Sequence, residues 1–223
     1  GFILSDEVIP VTVEEDKQVV EISLVNERVY GDLRLTKVDK DYPDNKLTGA
    51  EFEVYRDTNG NKELDEGDEL LGKMEETSTG IYEMSHILYG GVFVKESKAP
   101  EGYQLDENAY YFAITEDGQT AVVENGEAGR GFSNEAYRGN LKITKDSSDG
   151  RKDGFAFEVK SEDGTYCETF TSPEDGIILI EGLRMGKYTV TEVKNKASED
   201  YIIPDGAMVE IKADETAEVS FFN

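Results

Sequence analysis

The sequence predicts an all-β protein built from β-sandwich domains in tandem. Three features lead to this prediction: short runs of alternating apolar and polar residues, turn clusters rich in Gly, Asp and Asn between those runs, and an internal repeat. No stretch shows the apolar period of a long amphipathic helix. The runs predicted to be strands are 33–38, 50–55, 91–96, 110–115, 141–145, 155–160, 187–193 and 208–211.

The internal repeat predicts two full domains. Each copy contains an Asn-Glu pair, then a Gly, a Leu and a Lys at matching spacing, and later a strand-like run that reaches a Glu. The members are Asn26, Glu27, Gly31, Leu33, Lys37 and Glu96 in the first copy, and Asn134, Glu135, Gly139, Leu141, Lys145 and Glu192 in the second. Because a sequence repeat of this kind marks a repeated structural unit, we predict domains over residues 31–138 and 139–223.

Residues 1–30 resemble the end of such a domain without its beginning. The alternating segment 10–26 matches the closing strands of the two full domains, which end at Asn134 and Asn223, and Asn26 occupies the corresponding last position. We interpret residues 1–30 as the C-terminal strands of a truncated preceding domain, in which Asn26 lacks a partner. An exposed pair of strands would tend to pair with another sheet edge.

Composition and charge exclude several classes of function. The 23 Lys and Arg residues stand against 49 Asp and Glu residues, and the resulting net charge of -26 disfavours binding to nucleic acid or anionic lipid. No apolar run is long enough for membrane insertion. The single cysteine, Cys167, and the single histidine, His86, lie in different predicted domains. They therefore provide no internal disulfide, no Cys–His nucleophile and no zinc site.

The most informative residues are polar side chains on predicted apolar strand faces. Side chains alternate between the two faces of a strand, and each full domain places one Lys, one Glu and one Asn on the apolar face. These residues are Lys37, Glu96 and Asn134 in the first domain, and Lys145, Glu192 and Asn223 in the second. Because an isolated buried ion costs several kcal/mol, the three groups of each domain should meet one another or lose their charge.

Two interpretations of these triplets are open. In the first, Lys and Glu form a buried ion pair to which Asn adds a hydrogen bond. In the second, desolvation favours a neutral amine beside a carboxylic acid. The amine then attacks the Asn side-chain carbonyl, Glu shuttles protons, and ammonia leaves, so that a Lys–Asn isopeptide bond forms. The occurrence of two triplets at matching positions favours the second interpretation.

Three segments of the first domain carry a family resemblance. They are LTKVD at 35–39, LTGAEFEVY at 47–55 and ESKAPEGY at 96–103. They resemble the collagen-adhesin B-type (Cna B, SpaA-like) domains of Gram-positive pilins and adhesins, and the third is similar to the pilin E-box, with Ser97 where Thr is usual. The resemblance implies an immunoglobulin-like, prealbumin-like sandwich.

The same resemblance implies roles for the triplets. In that family a first-strand Lys bonds to a last-strand Asn with the help of the E-box Glu, and these roles fall on Lys37, Asn134 and Glu96. The second domain is less similar because no Ala-Pro step follows its glutamate. The residues at the matching positions are Lys145, Glu192 and Asn223.

The acidic loop 57–68 is a separate candidate site. Oxygen-bearing side chains at alternate positions suit calcium, and the start of the loop resembles an EF-hand. The candidate ligands are Asp57, Asn59, Asn61, Asp65 and Asp68. The loop departs from the EF-hand pattern at Lys62, where Gly is expected, and ends in Asp rather than Glu. A solvated acidic hairpin loop is the alternative, and no other cofactor is expected.

The sequence thus predicts a structural stalk or backbone segment of a Gram-positive cell-surface protein or pilin. The expected location is extracellular, with cell-wall attachment through parts outside this chain, and the expected partners are neighbouring domains or subunits. No enzyme activity is predicted beyond the single self-crosslinking step; a glycosidase would need paired carboxylates across a cleft. The alternative is an adhesin module that binds a host protein or glycan directly.

Overall fold

The computed structural model describes all residues from 1 to 223, and these form two compact units, Gly1–Glu135 and Ala136–Asn223. All regular elements are β-strands, arranged as two sheets in each unit, which confirms the all-β tandem sandwich fold. The structure contains no helix with the length and apolar character that a membrane crossing requires.

Unit 1 contains nine strands in two sheets. They are β1 (Tyr30–Asp39), β2 (Glu51–Arg56), β3 (Glu69–Lys73), β4 (Glu75–Ser78), β5 (Ile81–Leu88), β6 (Gly90–Lys98), β7 (Ala109–Ile114), β8 (Gln119–Val122) and β9 (Phe132–Asn134). One sheet has the order β4-β5-β1-β8, with β9 also paired to β1, and the other has the order β3-β2-β6-β7.

Unit 2 contains seven strands in the same kind of arrangement. They are β10 (Arg138–Asp146), β11 (Ala156–Ser161), β12 (Cys167–Thr171), β13 (Ile177–Arg184), β14 (Gly186–Val193), β15 (Ala207–Ile211) and β16 (Thr216–Phe222). The two sheets have the orders β13-β10-β16 and β12-β11-β14-β15.

The core of each unit lies between its two sheets, where alternate side chains of facing strands meet. In unit 1, Leu33 and Leu35 of β1 are fully buried with Phe52 and Val54 of β2. In unit 2 a second cluster around β10 and β11 plays the same part. Burial of each large apolar side chain stabilises the fold by about 1.5–3 kcal/mol. Because these inner faces consist mainly of apolar side chains, a polar residue on one of them is packed among apolar groups.

The last strand differs between the two units. In unit 2, β16 runs without interruption beside β10 in parallel, from the pair Asn140–Thr216 to the pair Asp146–Phe222. In unit 1 the same edge of β1 is shared by β8 and the separate three-residue β9. Gly131 leads into β9 with φ of 76°, and a Cβ there would lie 2.6 Å from a main-chain oxygen of β1. Only glycine fits this approach without strain.

Residues 1–29 form no strand. The segment is tied to itself by an isolated bridge between Phe2 and Arg28, and the two closing strands expected over residues 10–26 are absent. Its apolar side chains remain exposed, with Leu4 at 90% and Val8 at 87%. Alternating apolar residues form a strand only when a sheet edge is available to satisfy their main-chain groups. The assignment of this segment to a truncated domain stays a prediction.

Candidate functional site

The structure buries all three residues of the first predicted triplet. Lys37 is fully buried on β1, Glu96 is fully buried on β6, and Asn134 at the end of β9 is 3% exposed. The Lys37 amine lies 4.8 Å from the ring centre of Phe132 and 6.0 Å from that of Phe52. The prediction that these side chains point inward from three strands is therefore correct.

The three side chains are in direct contact. The Lys37 amine donates to Oδ1 of Asn134 and lies 3.2 Å from Oε1 of Glu96. Nδ2 of Asn134 donates to both carboxylate oxygens of Glu96, at 3.0 and 2.8 Å. The amine is thus placed against the acceptor carbonyl, and the acid contacts both the amine and the amide nitrogen.

Burial weakens the positive charge of Lys37. Removal of the amine from water lowers its pKa from the ordinary 10.5 to about 8, against the opposing effects of Glu96 and, more weakly, of Asp106. The neutral form of this amine is therefore much easier to reach near neutral pH than that of an exposed lysine. Only the neutral amine is nucleophilic.

Two residues outside the predicted triplet adjoin it. The main-chain N–H of Asp106 donates to Oε2 of Glu96 at 2.9 Å, and Oδ2 of Asp106 accepts from Nδ2 of Asn125 at 2.7 Å. Sequence reasoning missed both residues, because they lie between strands, where face alternation carries no signal. They line a pocket of about 550 Å³ that also reaches Asn134, so the cluster adjoins a cavity on this side.

The second triplet is only partly assembled. Lys145 is fully buried and Glu192 is 3% exposed, and Nδ2 of Asn223 donates to Oε1 of Glu192 at 2.7 Å. The Lys145 amine instead donates to the main-chain oxygen of Asp146 and lies 4.0 Å from the ring centre of Phe155. Burial lowers the pKa of Lys145, opposed mainly by Glu192.

Two buried acceptor atoms of the second triplet are unsatisfied. Oε2 of Glu192 and Oδ1 of Asn223 have no hydrogen-bond partner. These are the atoms whose counterparts in unit 1 accept from Asp106 and Lys37, respectively. The glutamate and the asparagine of unit 2 meet as predicted, whereas the lysine does not contact the acceptor oxygen.

The acidic loop 57–68 satisfies its side chains internally. Oδ1 of Asp57 accepts from the N–H of Gly60 at 2.7 Å, and Oδ1 of Asp68 accepts from the N–H of Thr58 at 3.0 Å. Oδ2 of Asp65 accepts from the amides of Asn59 and Asn61, at 2.8 and 3.0 Å. No group of three or more His, Cys, Asp or Glu residues is arranged to hold a metal ion. Calcium binding at this loop stays a prediction.

Asn26 lies apart from any lysine and glutamate pair of the predicted kind. It is exposed within the strandless segment 1–29, so the structure gives it no buried reaction partner. Its assignment as an acceptor without a partner in this chain stays a prediction.

Solved structures of two bacterial proteins share this fold. The Bacillus anthracis TIE protein superposes with a TM-score of 0.73 at 27% identity over 100% of this chain and 39% of that one. The pilus adhesin SpaC from Lactobacillus rhamnosus GG has a TM-score of 0.51 at 15% identity, over 89% of this chain and 31% of that one. This chain therefore spans well under half the length of either protein.

No curated protein is similar enough to be matched. A family model described as a SpaA prealbumin-like fold domain matches residues 31–127 and again residues 139–223, which together make up most of the sequence. The resemblance inferred from the motifs around Lys37 and Glu96 is thereby confirmed. The chain belongs to the SpaA prealbumin-like domain family and carries two copies of that domain in tandem.

Proposed function

We propose that this chain is a structural segment of a Gram-positive surface protein or pilus, stiffened by Lys–Asn isopeptide bonds that the fold itself forms. The observation that carries the proposal is the buried contact of Lys37 with both Asn134 and Glu96. Membership of the SpaA family and the likeness of the fold to a pilus adhesin support the surface location.

The proposed reaction in unit 1 joins Lys37 to Asn134. The neutral amine attacks Cγ of Asn134, a bond forms between Nζ and Cγ, and the bond from Cγ to Nδ2 breaks. Glu96 lies 3.2 Å from Nζ and 2.8 Å from Nδ2, so it can take a proton from the first nitrogen and deliver it to the second. Nδ2 leaves as ammonia, and the product is a secondary amide.

The fold replaces an external catalyst by holding the reactants together. Effective concentrations of about 10⁵ M or more arise when two groups are fixed in contact with correct orientation. Lys37 and Asn134 are fixed on neighbouring parallel strands, and the Lys37 amine lies beside the rings of Phe132 and Phe52. The reaction runs once in each unit, so this self-modification requires no further substrate.

In unit 2 the same bond requires a prior movement of Lys145. Its amine must leave the Asp146 oxygen and turn toward Oδ1 of Asn223, which has no other partner. The movement gives the buried, unsatisfied Oδ1 of Asn223 a hydrogen-bond donor, which favours it. We therefore propose that both units become crosslinked and that unit 1 reacts first.

The mass of the intact protein tests this proposal. Each condensation expels one ammonia, so the mature chain is expected to be lighter than its sequence mass by about 34 Da, and by about 17 Da if unit 1 alone has reacted. Peptide mapping should locate the links at Lys37–Asn134 and Lys145–Asn223. A chain with the unaltered sequence mass contradicts the proposal for both units. Asn26→Ala, at the corresponding repeat position, is the control and should leave the deficit unchanged.

Loss of the bond should also make the stability of unit 1 depend on pH. In Asn134→Ala, Lys37 remains a free amine, and none of the causes that lower its pKa is removed. An amine with a pKa of about 8 when folded and 10.5 when unfolded binds fewer protons in the folded state. Stability therefore rises with pH across this window, by about 3 kcal/mol in total.

Urea denaturation of Asn134→Ala at successive pH values between 7 and 11 measures this rise. In the crosslinked protein Lys37 is an amide and does not titrate, so the difference between the two proteins isolates the amine. Tyr82 and Tyr110, whose pKa values burial raises to about 12, are present in both proteins. If the difference in free energy of unfolding between the two proteins does not change with pH, Lys37 is not a buried, desolvated amine.

A further inference from the structure

The acceptor strand of unit 1 is short and separated from the strand before it. β9 contacts β1 at only three register positions, from Phe132 to Asn134, and residues 123–131 separate it from β8. In unit 2 the acceptor Asn223 instead directly follows the continuous seven-residue strand β16. The position of Asn134 therefore depends more on side-chain contacts than that of Asn223 does.

Asn125 supplies such contacts at the residue before the acceptor. Its Oδ1 accepts from the N–H of Ser133 at 2.8 Å, and its Nδ2 donates to the oxygen of Ser133 at 2.8 Å. One side-chain amide thus satisfies both main-chain groups of Ser133, as a neighbouring strand would do. These two hydrogen bonds hold the edge of β9 that faces away from β1.

Asp106 connects Asn125 to the acid of the triplet. Its Oδ2 accepts from Nδ2 of Asn125 at 2.7 Å and from the hydroxyl of Tyr110 at 2.7 Å. Its main-chain N–H donates to Oε2 of Glu96 at 2.9 Å. Hydrogen bonds therefore run without interruption from Glu96 through Asp106 and Asn125 to Ser133, the neighbour of Asn134. We call Asp106 and Asn125 the bracket.

Unit 2 provides an internal comparison because it lacks the bracket. Counted back from the register of the following strands, its β14–β15 connection has Ile203 where unit 1 has Asp106, so no carboxylate stands at that position, and the acidic residue Asp205 lies two residues nearer to β15. By register, Ala207 occupies the place of Tyr110, since the two pair with Val190 and Val94 of the matching strands. In this unit the glutamate has an unsatisfied oxygen and the lysine is turned away.

We propose that Asn125 and Asp106 are positioning residues for the crosslink of unit 1: Asn125 holds the acceptor strand through Ser133, while Asp106 holds both Asn125 and Glu96. This inference rests on the proposed function. The bracket contacts neither reacting atom, so it acts only by keeping Cγ of Asn134 and the carboxylate of Glu96 in place beside the amine.

The rate of crosslinking in folded chains tests the inference. The full chain is made by cell-free translation, samples are quenched in acidic denaturant at intervals, and the linked Lys37–Asn134 peptide is quantified by mass spectrometry. Asn125→Ala is expected to slow the reaction by about 100-fold, the effect of displacing reacting groups by roughly 1 Å. Near-UV circular dichroism of each purified variant in native buffer reports whether the chain is folded.

A charge-preserving exchange provides a rescue. Asn125→Asp alone places two carboxylates face to face and should be as slow as Asn125→Ala. Combining it with Asp106→Asn restores a hydrogen bond between the two side chains in the opposite direction and retains both the main-chain N–H to Glu96 and the acceptor for the Ser133 N–H, so that only the Ser133 oxygen loses its donor. The double variant is expected to react at least about tenfold faster than Asn125→Asp.

Gln119→Ala is the matched control. Gln119 also binds main-chain groups through its side-chain amide, at Thr115 and Ala113 of the same unit, but it does not contact the triplet. Its crosslinking rate should equal that of the unaltered protein. A wild-type rate in folded Asn125→Ala, or equal slowing in Gln119→Ala, overturns the inference and leaves the proposed function intact.

The absence of ammonia loss in the unaltered protein would overturn the proposed function instead. The positioning role is then judged in Lys37→Met, where no bond can form. Hydrogen exchange at the Ser133 amide should be faster in Lys37→Met with Asn125→Ala than in Lys37→Met alone. Equal exchange in the two proteins contradicts the positioning role in any case.

Discussion

Lys37→Met is expected to make unit 1 much less resistant to unfolding, because it removes the proposed covalent bond. The proposed Lys37–Asn134 bond would close a loop of about 100 residues, and such a closure stabilises the folded state by about 4–5 kcal/mol through its restriction of the unfolded chain. Methionine keeps the length of the side chain among Phe52 and Phe132, so the loss reports the bond rather than a cavity.

Guanidinium denaturation followed by unit-specific hydrogen exchange measures this loss. The transition of unit 1 should move to lower denaturant concentration, while the transition of unit 2 should not change. Lys142→Met serves as the matched control, because this lysine lies on the outer face of β10 in a partly exposed pair with Glu218, where an ion pair contributes about 0–1 kcal/mol. An unchanged transition of unit 1 in Lys37→Met would exclude a covalent bond at this residue.

Glu96→Ala is expected to leave unit 1 folded but without its crosslink. Glu96 is the carboxyl group in contact with both the amine and the leaving nitrogen, so its removal leaves no group to move the proton between them. The fold should persist at a cost of about 3–5 kcal/mol, since one partner of a buried polar cluster is lost. The mass deficit should fall by about 17 Da relative to the unaltered protein.

Glu192→Ala is the counterpart in unit 2 and separates the two sites. Peptide mapping should show that Glu96→Ala removes only the Lys37–Asn134 link and that Glu192→Ala removes only the Lys145–Asn223 link. Retention of the first link in Glu96→Ala would transfer proton movement to another group, of which Asp106 is the carboxylate nearest in the hydrogen-bond chain.

The strand faces that carry the triplets could be predicted because burial alternates along them. β10 has a strict alternation of buried and half-buried residues, and Lys145 falls on its buried side. β4, by contrast, is exposed at all four positions, so its sequence contains no alternation from which a strand could be recognised. The strand exists because its main-chain groups pair with β5, and such pairing is a tertiary effect.

The parts of the site that sequence failed to predict depend on loop geometry and side-chain rotation. Asn125 lies in the excursion between β8 and β9, and only the folded chain brings it to Ser133. Lys145 has the predicted face and burial, yet its amine turns to the Asp146 oxygen, and alternation does not determine rotation about side-chain bonds. Residues 10–26 show the reverse error: the pattern is present, but no strand forms where no sheet edge receives it.

The parallel pairing of β1 with β9 has a mechanical consequence once Lys37 and Asn134 are joined. Tension that enters β1 at Tyr30 runs along that strand to Lys37, crosses the new amide, and leaves the unit directly after Asn134. Everything folded between residues 38 and 133, including β2 to β8 and the acidic loop 57–68, lies outside this path. A pulled unit would thus transmit force through one strand and one covalent bond. Substitutions that destabilise the remaining strands would then leave the extensibility of the protein unchanged.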